Sequence, residues 1–542
     1  MISSISKRGV MGSTYDWVVV GSGINGLATA VVLASAGRSV IVLERNAAPG
    51  GAVRTEELTV PGFRHDLFAT NLNLFAGSPF FAEYGDDLER HGLAFAPSDK
   101  PFSSIFPDGR FVGVSTDMAA TLDMVGAMSP ADAEAWTGLA DWFGEVAPHL
   151  FPLLGTPLPS VQAARALFEG SRALGWTWPL DLARLVMQSS REFVEEHFES
   201  REVQALCASW GMHLDFPPDA PGGALFPFLE TFASNFNGMV LGLGGATTMI
   251  DALVSLLESR GGALGLSSDV ASITIEDDRA VGVELATGER ISARVGVVAN
   301  LTPKVLFGRL VPSANLTPRF NRQVAAYRHA PAALMVHLAM SGLPGWSAGD
   351  DVKDWAYVHI GPYLEDMGLA YQQAVGGLLP VRPTLVVGQP TAVDPSRAPE
   401  GKHVLWVQVR VVPSTIRGDA AGEIAATSWR DAKEPYADRV IELIEEHAPD
   451  VASKILGRHV LSPEDLEAYN PNLIGGDSLG GSHHPMQFAG LRPFPGWTKY
   501  RTPIEGLFMC GASTWPGAGV GAGSGYLLGK RLVGTRSSLF GR

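Results

Sequence analysis

Residues 17–44 read WVVVGSGINGLATAVVLASAGRSVIVLE, and this stretch holds the parts of a dinucleotide-binding βαβ unit in working order. Trp17 to Val20 reads as a buried strand, Gly21-Ser-Gly23-Ile-Asn-Gly26 as a tight turn opening a helix, and Val40 to Leu43 as a second strand. In such a turn the first glycine makes the bend, the second lets the main chain approach a pyrophosphate, and the third lets the helix pack closely. The phosphates then rest on unpaired helix N–H groups. Glu44 ends the second strand, where an acid accepts the ribose hydroxyls of an adenosine. A GxGxxG run alone is a common turn, but strand, helix and terminal acid together point to a nucleotide.

Working outward, the residues after Glu44 carry Arg45, the pair Gly50-Gly51 and Arg54. A nicotinamide dehydrogenase needs no glycine pair here, whereas a flavin enzyme uses one where its backbone passes the ribityl chain and pyrophosphate. Far along the chain, residues 506–532 read GLFMCGASTWPGAGVGAGSGYLLGKRL. This predicts a strand from Leu507 to Cys510, a glycine-rich turn, and a helix starting near Ala518. Such a helix aims its positive end at an anionic group, such as the N1–C2=O edge of a reduced flavin. Two glycine-rich strand-to-helix turns at opposite ends of the chain point to one extended cofactor spanning both.

Together with GLGGATTMIDALVSLLESRGG at 242–262 and SDVASITIEDDRAVGVELATGERISARVGVVAN at 268–300, these motifs resemble the phytoene desaturase family of FAD-dependent oxidoreductases. The resemblance covers about half the chain and keeps the family's motif order. It is greater to the branch described as pyridine nucleotide-disulfide oxidoreductase domain-containing protein 2 than to the dedicated carotenoid desaturases. The resemblance implies non-covalent FAD, hydride chemistry on an apolar substrate, and a substrate domain inserted into the flavin domain. It sets the cofactor against Gly21, Gly23, Ile24, Asn25 and Gly26, then Glu44, Arg45, Gly50, Gly51 and Arg54. It further implies an adenine contact at the backbone of Val270, and flavin contacts at Gly511, Ala512, Gly519 and Val520.

The fold class expected is α/β, a Rossmann-like FAD-binding domain interleaved with an α+β substrate domain. Residues 1–14 read as a tail; 15–80, 236–310 and 495–535 as the FAD-binding domain; 81–235 and 311–494 as the substrate domain. Ile250, Leu253, Val254 and Leu257 predict a helix over Met249 to Arg260, ended by Gly261-Gly262. Strands follow at Val270 to Ile275, Ala280 to Leu285, Glu289 to Ser292 and Val295 to Ala299. Runs at Ala333 to Met340, Thr384 to Val387 and Val404 to Val411 predict a sheet over the flavin. Pro435 suits the first turn of a helix running to His447. Prolines at 152–159 and 217–221 read as connections between helices.

Composition agrees with this organisation. The chain has 542 residues, more than the roughly 100–200 of one domain, so two or more domains are expected. Charged residues are 18%, below the usual figure of about 25%, which leaves room for an apolar channel. A net charge of −15 argues against nucleic acid and against simple electrostatic docking on anionic lipid. Cys207 and Cys510 are the two cysteines, and no spacing suggests zinc, so a reducing, cytoplasmic compartment is expected. The N-terminal stretch lacks the apolar run of a secretory signal, and no window reaches the roughly 18 apolar residues of a membrane span. The protein therefore reads as soluble or peripheral to a membrane. Residues His149 to Trp178 read either as an ordinary buried helix pair or as a membrane-facing surface or tunnel mouth.

Desaturation needs few compulsory acids or bases, since the protein's task is to hold a C–H bond near the flavin and exclude water. Residues 470–497, NPNLIGGDSLGGSHHPMQFAGLRPFPGW, read as the substrate-side segment. His483 and His484 are its candidates to take the released proton, against a reading as loop hydrogen-bonders. His65-Asp66 is a second candidate pair, against a turn held by a His–Asp hydrogen bond; His337 reads as a satisfied core histidine. Cys510 reads as a buried thiol rather than a flavin attachment point. No metal site or serine nucleophile is expected, and no separate nicotinamide domain, which favours oxygen, a quinone or another protein over nicotinamide as electron acceptor. The expected activity is FAD-dependent desaturation of an isoprenoid-like or lipid-like substrate. The alternatives are a flavin amine oxidase, with Trp515 or Tyr526 in an aromatic pair at the flavin, or a flavin-bearing assembly protein without turnover.

Overall fold

The computed structural model describes residues 14–534. The expected N-terminal tail lies outside the described residues except for Thr14, which opens β1 (Thr14–Val20). The chain continues through α1 (Ile24–Ser35) and β2 (Val40–Leu43), the βαβ unit expected from the motif. α1 is buried from Ile24 to Ala34, and a helix apolar all round has to be enclosed on every side. It lies between the sheet and two later helices, α6 (Thr247–Ser259) and α8 (Gly523–Gly534).

Two seven-stranded sheets organise the molecule. Their further strands, in chain order, are β3 (Phe102–Ile105), β4 (Phe111–Val114), β5 (Ala263–Gly265), β6 (Val270–Glu276), β7 (Arg279–Leu285) and β8 (Arg290–Ala299). Then come β9 (Ala332–Met340), β10 (Tyr357–Ile360), β11 (Thr384–Gly388), β12 (His403–Val412), β13 (Ile455–Leu461) and β14 (Leu507–Met509). The first sheet runs β6-β7-β8-β1-β2-β5, with β14 parallel to the end of β8. The second runs β13-β9-β12-β11-β10-β3-β4 and is antiparallel except where β10 meets β3.

β8 joins the two strands expected at 289–292 and 295–299. Its first half alternates buried and exposed residues beside antiparallel β7. Its second half is continuously buried because parallel β1 and β14 flank it and helices cover the faces. The C-terminal helix begins at Gly523, not Ala518, because Gly517, Gly519 and Ala522 all have φ between 57° and 122°, outside the right-handed helix. α7 (Trp429–Glu445) begins six residues before Pro435, since Ser428 accepts from the Asp431 N–H and caps the start. Pro152 lies inside α2 (Pro130–Leu154) rather than in a connection.

The second sheet has two unlike faces. Leu405, Val407 and Val409 of β12 pack with Trp429, Tyr436 and Val440 of α7 on the back, while the alternate residues Trp406, Gln408 and Arg410 face the other way. Residues 149–178 depart from the buried helix pair. Phe151, Val161, Phe168 and Trp176 are 46%, 84%, 52% and 72% exposed, on α2, on α3 (Val161–Leu174) and just beyond it. Leu180 and Met187 of α4 (Trp178–Met187) are each 71% exposed and extend the apolar surface.

α8 approaches α1 so closely that a Cβ on Gly525 would collide with the Asn25 carbonyl oxygen, and one on Gly529 would lie 2.8 Å from Val32 Cβ. Alanine is ordinarily better than glycine in a helix by about 1 kcal/mol. Gly525→Ala is nevertheless expected to destabilise the protein by about 1–3 kcal/mol, the usual scale of overpacking. Urea denaturation checks this, and a stabilised variant would contradict the contact.

Candidate active site

A cavity of about 650 Å³ lies between the ends of β1, β2 and β8 and the front of the second sheet. That volume is within the roughly 300–1,000 Å³ of small-molecule sites. One end is lined by Gly21, Gly23, Ile24, Asn25, Glu44, Arg45 and Val270, and the middle by Gly50, Gly51, Gly511, Ala512, Gly519 and Val520. Tyr357, Trp406, Gln408 and Arg410 line the sheet end, with Trp210, Phe226 and Glu230. The first and last motifs of the chain therefore open into the same space.

Local hydrogen bonding explains the motif geometry. Gly21 turns with φ 92°, and α1 starts at Gly23 with no side-chain cap and no acid in its first turn. Its first N–H groups are left for an anion. Glu44 is 5% exposed and accepts from Ser22 N–H at 3.1 Å, Ser22 Oγ at 2.7 Å and Asn46 N–H at 2.9 Å. This pins the carboxylate at the cavity wall. At the other turn, Asn25 Oδ1 accepts from Gly525 N–H at 3.0 Å, and Ser524 Oγ accepts from Gly511 N–H at 3.0 Å.

Asn300, just past β8, was not among the expected residues. A Cβ on Gly23 would come within 2.8 Å of its Nδ2, and one on Gly511 within 2.7 Å of its Oδ1, so Asn300 fills the space between the two turns. Its only signal in the sequence is its place at the end of a buried strand. These features fit an extended dinucleotide: an uncapped helix start, a fixed carboxylate one strand away, and side-chain-free backbone between them.

Several expectations are corrected. Gly26 does not line the cavity; a Cβ there would strike the Gly21 carbonyl oxygen, so it serves the tightness of the turn. Arg54 also lies off the cavity, paired with Glu56 and stacked over the Tyr469 ring at 5.2 Å. His483 is buried and its Nε2 accepts from the Ala518 N–H at 2.9 Å, so its lone pair holds the 517–520 turn. Burial, and then the charge of Arg492, keep it neutral. His484 points its Nε2 at the Asp215 carbonyl, 2.7 Å away, and stacks on Phe216. Neither histidine lines the cavity. Trp515 donates to the Thr156 carbonyl and Tyr526 to Glu83, and neither ring lines the cavity. Cys510 is fully buried off the cavity, its thiol pushed up to about 12 by burial.

His65 and Asp66 do not bond each other. His65 Nε2 shares a 2.8 Å hydrogen bond with Thr59 Oγ1, and its ring meets His337 edge to face at 5.5 Å. Asp66 instead pairs with the fully buried Arg397, which also holds Asp394 at 3.2 Å and the Gly242 carbonyl at 2.8 Å. Thr55 Oγ1 and the Ala246 N–H donate to Asp66, and the Gly244 N–H donates to Asp394. Burial acts to raise the Asp66 carboxyl, but Arg397 and these donors outweigh it and hold the carboxyl below its usual range.

The sheet end carries residues that sequence reasoning passed over. Trp406, Gln408 and Arg410 alternate polar and aromatic positions inside an apolar strand, a pattern visible in HVLWVQVRVV. Tyr357 stacks on Trp406 with centroids 5.7 Å apart and 10° between the planes. Arg410 donates to Gln408 Oε1 at 2.7 Å and to the Met212 and His213 carbonyls. Glu230 faces the cavity from α5 (Leu225–Asn237) without an ion-pair or hydrogen-bond partner among the described residues.

The model for flavin containing amine oxidoreductases matches residues 24–531. The chain belongs to that family. It is an FAD-dependent oxidoreductase, as the sequence motifs implied. It is 28% identical to mouse (Mus musculus) pyridine nucleotide-disulfide oxidoreductase domain-containing protein 2, covering 94% of this chain and 92% of that one. It is also 28% identical to a limonene dehydrogenase chain from Castellaniella defragrans (96% and 94% covered). With a neurosporene-forming phytoene desaturase of Rhodobacter capsulatus it shares 26% identity (95% and 93% covered). A redesigned triple mutant of putrescine oxidase has the same fold, with TM-score 0.61 at 15% identity over 96% of this chain and 98% of that one.

Glu44→Ala removes a carboxylate from the cavity wall and is expected to lower the fraction of protein purified with FAD, read from the flavin-to-protein absorbance ratio. Arg397→Met leaves two buried carboxylates unpaired and is expected to destabilise the fold by about 3–5 kcal/mol in denaturant titration.

Proposed function

We propose that the protein desaturates an apolar, isoprenoid-like or lipid-like substrate, and that the cavity lined from Val270 to the front of the second sheet would hold FAD. In this reading Gly21, Gly23, Ile24 and Asn25 hold the pyrophosphate, Glu44 and Arg45 the adenosine, and Gly50, Gly51, Gly511, Ala512, Gly519 and Val520 the flavin. When bound, FAD supplies the two-electron acceptor for a hydride. The observation that carries the substrate class is the wall beyond the glycine turns. There Phe68, Trp210, Phe226, Tyr357 and Trp406 present rings to the cavity, which excludes water and orients a hydrocarbon. Relatives named for limonene and phytoene, both hydrocarbons, support the same class. Oxygen, a quinone or another protein takes the electrons onward in this reading, and the Gly242–Gly245 turn, whose backbone bonds Arg397 and Asp394, serves as scaffold.

No helix among the described residues is long and apolar enough to cross a membrane. We propose a cytoplasmic location, which the free, buried Cys207 and Cys510 support, with the apolar surface of α2, α3 and α4 able to rest on a bilayer from which such a substrate would come.

Anaerobic mixing of the holoprotein with limonene, phytoene and a linear alkylamine tests the substrate class. Bleaching of the flavin by a hydrocarbon is expected. Bleaching by the amine alone, or by none of the three, would overturn the reading. Co-sedimentation with phosphatidylcholine vesicles is expected to fall at least several-fold in a Phe168→Glu, Trp176→Glu, Leu180→Glu variant, and unchanged sedimentation would remove the membrane contact.

A further inference from the structure

At the sheet end of the cavity, the groups able to carry a charge or a proton are committed with one exception. Glu44 is held by Ser22 and Asn46, and Arg45, Asp269 and Arg309 line the same far end. At the sheet end, burial lowers Arg410 only to about 10, so it stays charged at neutral pH, its N–H groups directed to carbonyl oxygens. His213 is held neutral by burial, with Arg410 and His359 beside it. Tyr357 keeps its proton because burial, then Asp66, disfavour the phenolate. Asp66 itself is locked to Arg397 behind the wall.

Glu230 is the exception. It lies one helical turn from Phe226 on α5, on the same face, and both line the cavity. No described residue bonds it. A carboxylate in apolar surroundings without a partner is unfavourable, so burial pushes Glu230 up to about 7. A general base works best with its affinity for protons near the operating pH.

We propose that Glu230 is the catalytic base of this cavity, the group that takes the proton when a substrate C–C bond is oxidised to C=C. The proposal rests on the dehydrogenation reading above. FAD, when bound, would supply the two-electron acceptor for a hydride from one substrate carbon. The C–H bond on the neighbouring carbon breaks, its electron pair becomes the new π bond, and its proton forms an O–H bond on Glu230. The substrate is oxidised by two electrons, the cofactor is reduced by two, and the proton later passes from Glu230 to water. Glu230 thereby fills the role that His483 and His484 cannot, because neither ring lines the cavity and the Nε2 of each is taken by a backbone group.

Glu230→Gln keeps the shape of the side chain and removes its capacity to accept a proton. With whichever of limonene or phytoene bleaches the wild-type flavin, the variant is expected to be reduced about 100-fold more slowly. FAD occupancy and the substrate-induced shift in flavin absorbance should be unchanged. The wild-type rate should rise through about pH 7, the Glu230→Gln rate should be flat with pH, and Glu230→Asp should recover part of both rate and profile. A readout without substrate accompanies this: infrared difference spectra of the holoprotein between about pH 6 and about pH 8 should show a titrating carboxyl band that Glu230→Gln removes. A variant reduced at the wild-type rate, or a wild-type carboxyl band unaffected by the substitution, overturns the assignment of Glu230. Loss of the band in a protein that no hydrocarbon bleaches overturns the dehydrogenation reading and leaves Glu230 as the cavity's free proton acceptor.

Discussion

The site depends on a contact in which two helices meet with nothing between them. α1, near the start of the chain, and α8, near its end, approach until the Gly525 backbone rests on Asn25, with Asn25 Oδ1 accepting the Gly525 N–H and Thr29 Oγ1 placed 2.9 Å from both the Asn25 and Gly525 carbonyls. Any side chain at 525 would hold the helices apart. Because the turns on either side of this contact, 21–26 and 511–522, are rigidly tied to those helices, their close approach is what merges two glycine-rich loops into one cavity. Asn300 then fills the remaining gap between them.

A second constraint joins the two sheets. Arg397, from the loop before β12, reaches Asp66 and the turn that opens α6. Buried ions are seldom a net gain over apolar packing, but an arginine surrounded by two carboxylates and a carbonyl specifies geometry in a way that apolar contact does not. Through it the front of the second sheet is set opposite the glycine turns, where Trp406, Gln408 and Arg410 face the cavity. Electrostatics there follow the same economy. At the sheet end, Arg410 is directed to carbonyl oxygens and His213 and Tyr357 are kept neutral by burial, while Glu230 has no bonding partner among the described residues.

Much of this architecture is legible in the order of the residues. The βαβ unit, the central run of strands, the sheet at 332–412 and the C-terminal glycine turn all appear as periodicity interrupted by glycine, signals that are local and strong. Errors fall where local signals compete. The C-terminal helix starts five residues late because left-handed residues at 517, 519 and 522 break a stretch whose composition reads as helical. α7 runs through Pro435 because a serine cap and a buried face outweigh one missing hydrogen bond. The chemistry is harder to read. His483 and His484 stand out in a glycine-rich segment, yet their partners, Ala518 and Asp215, are distant in sequence and take the nitrogens out of the cavity. Glu230 sits in an ordinary amphipathic helix, and nothing in LFPFLETFASNFN marks it as facing a cavity rather than solvent.

The sequence by itself determined the nucleotide-binding architecture and the cofactor class, because the turn, the strand-end acid and the second glycine loop encode backbone conformations that few residues other than glycine can adopt. Only the tertiary structure decided which side chains meet above that cofactor. A histidine's availability, or a glutamate's affinity for a proton, depends on neighbours hundreds of residues away and on how much water they exclude, and no local pattern carries that information.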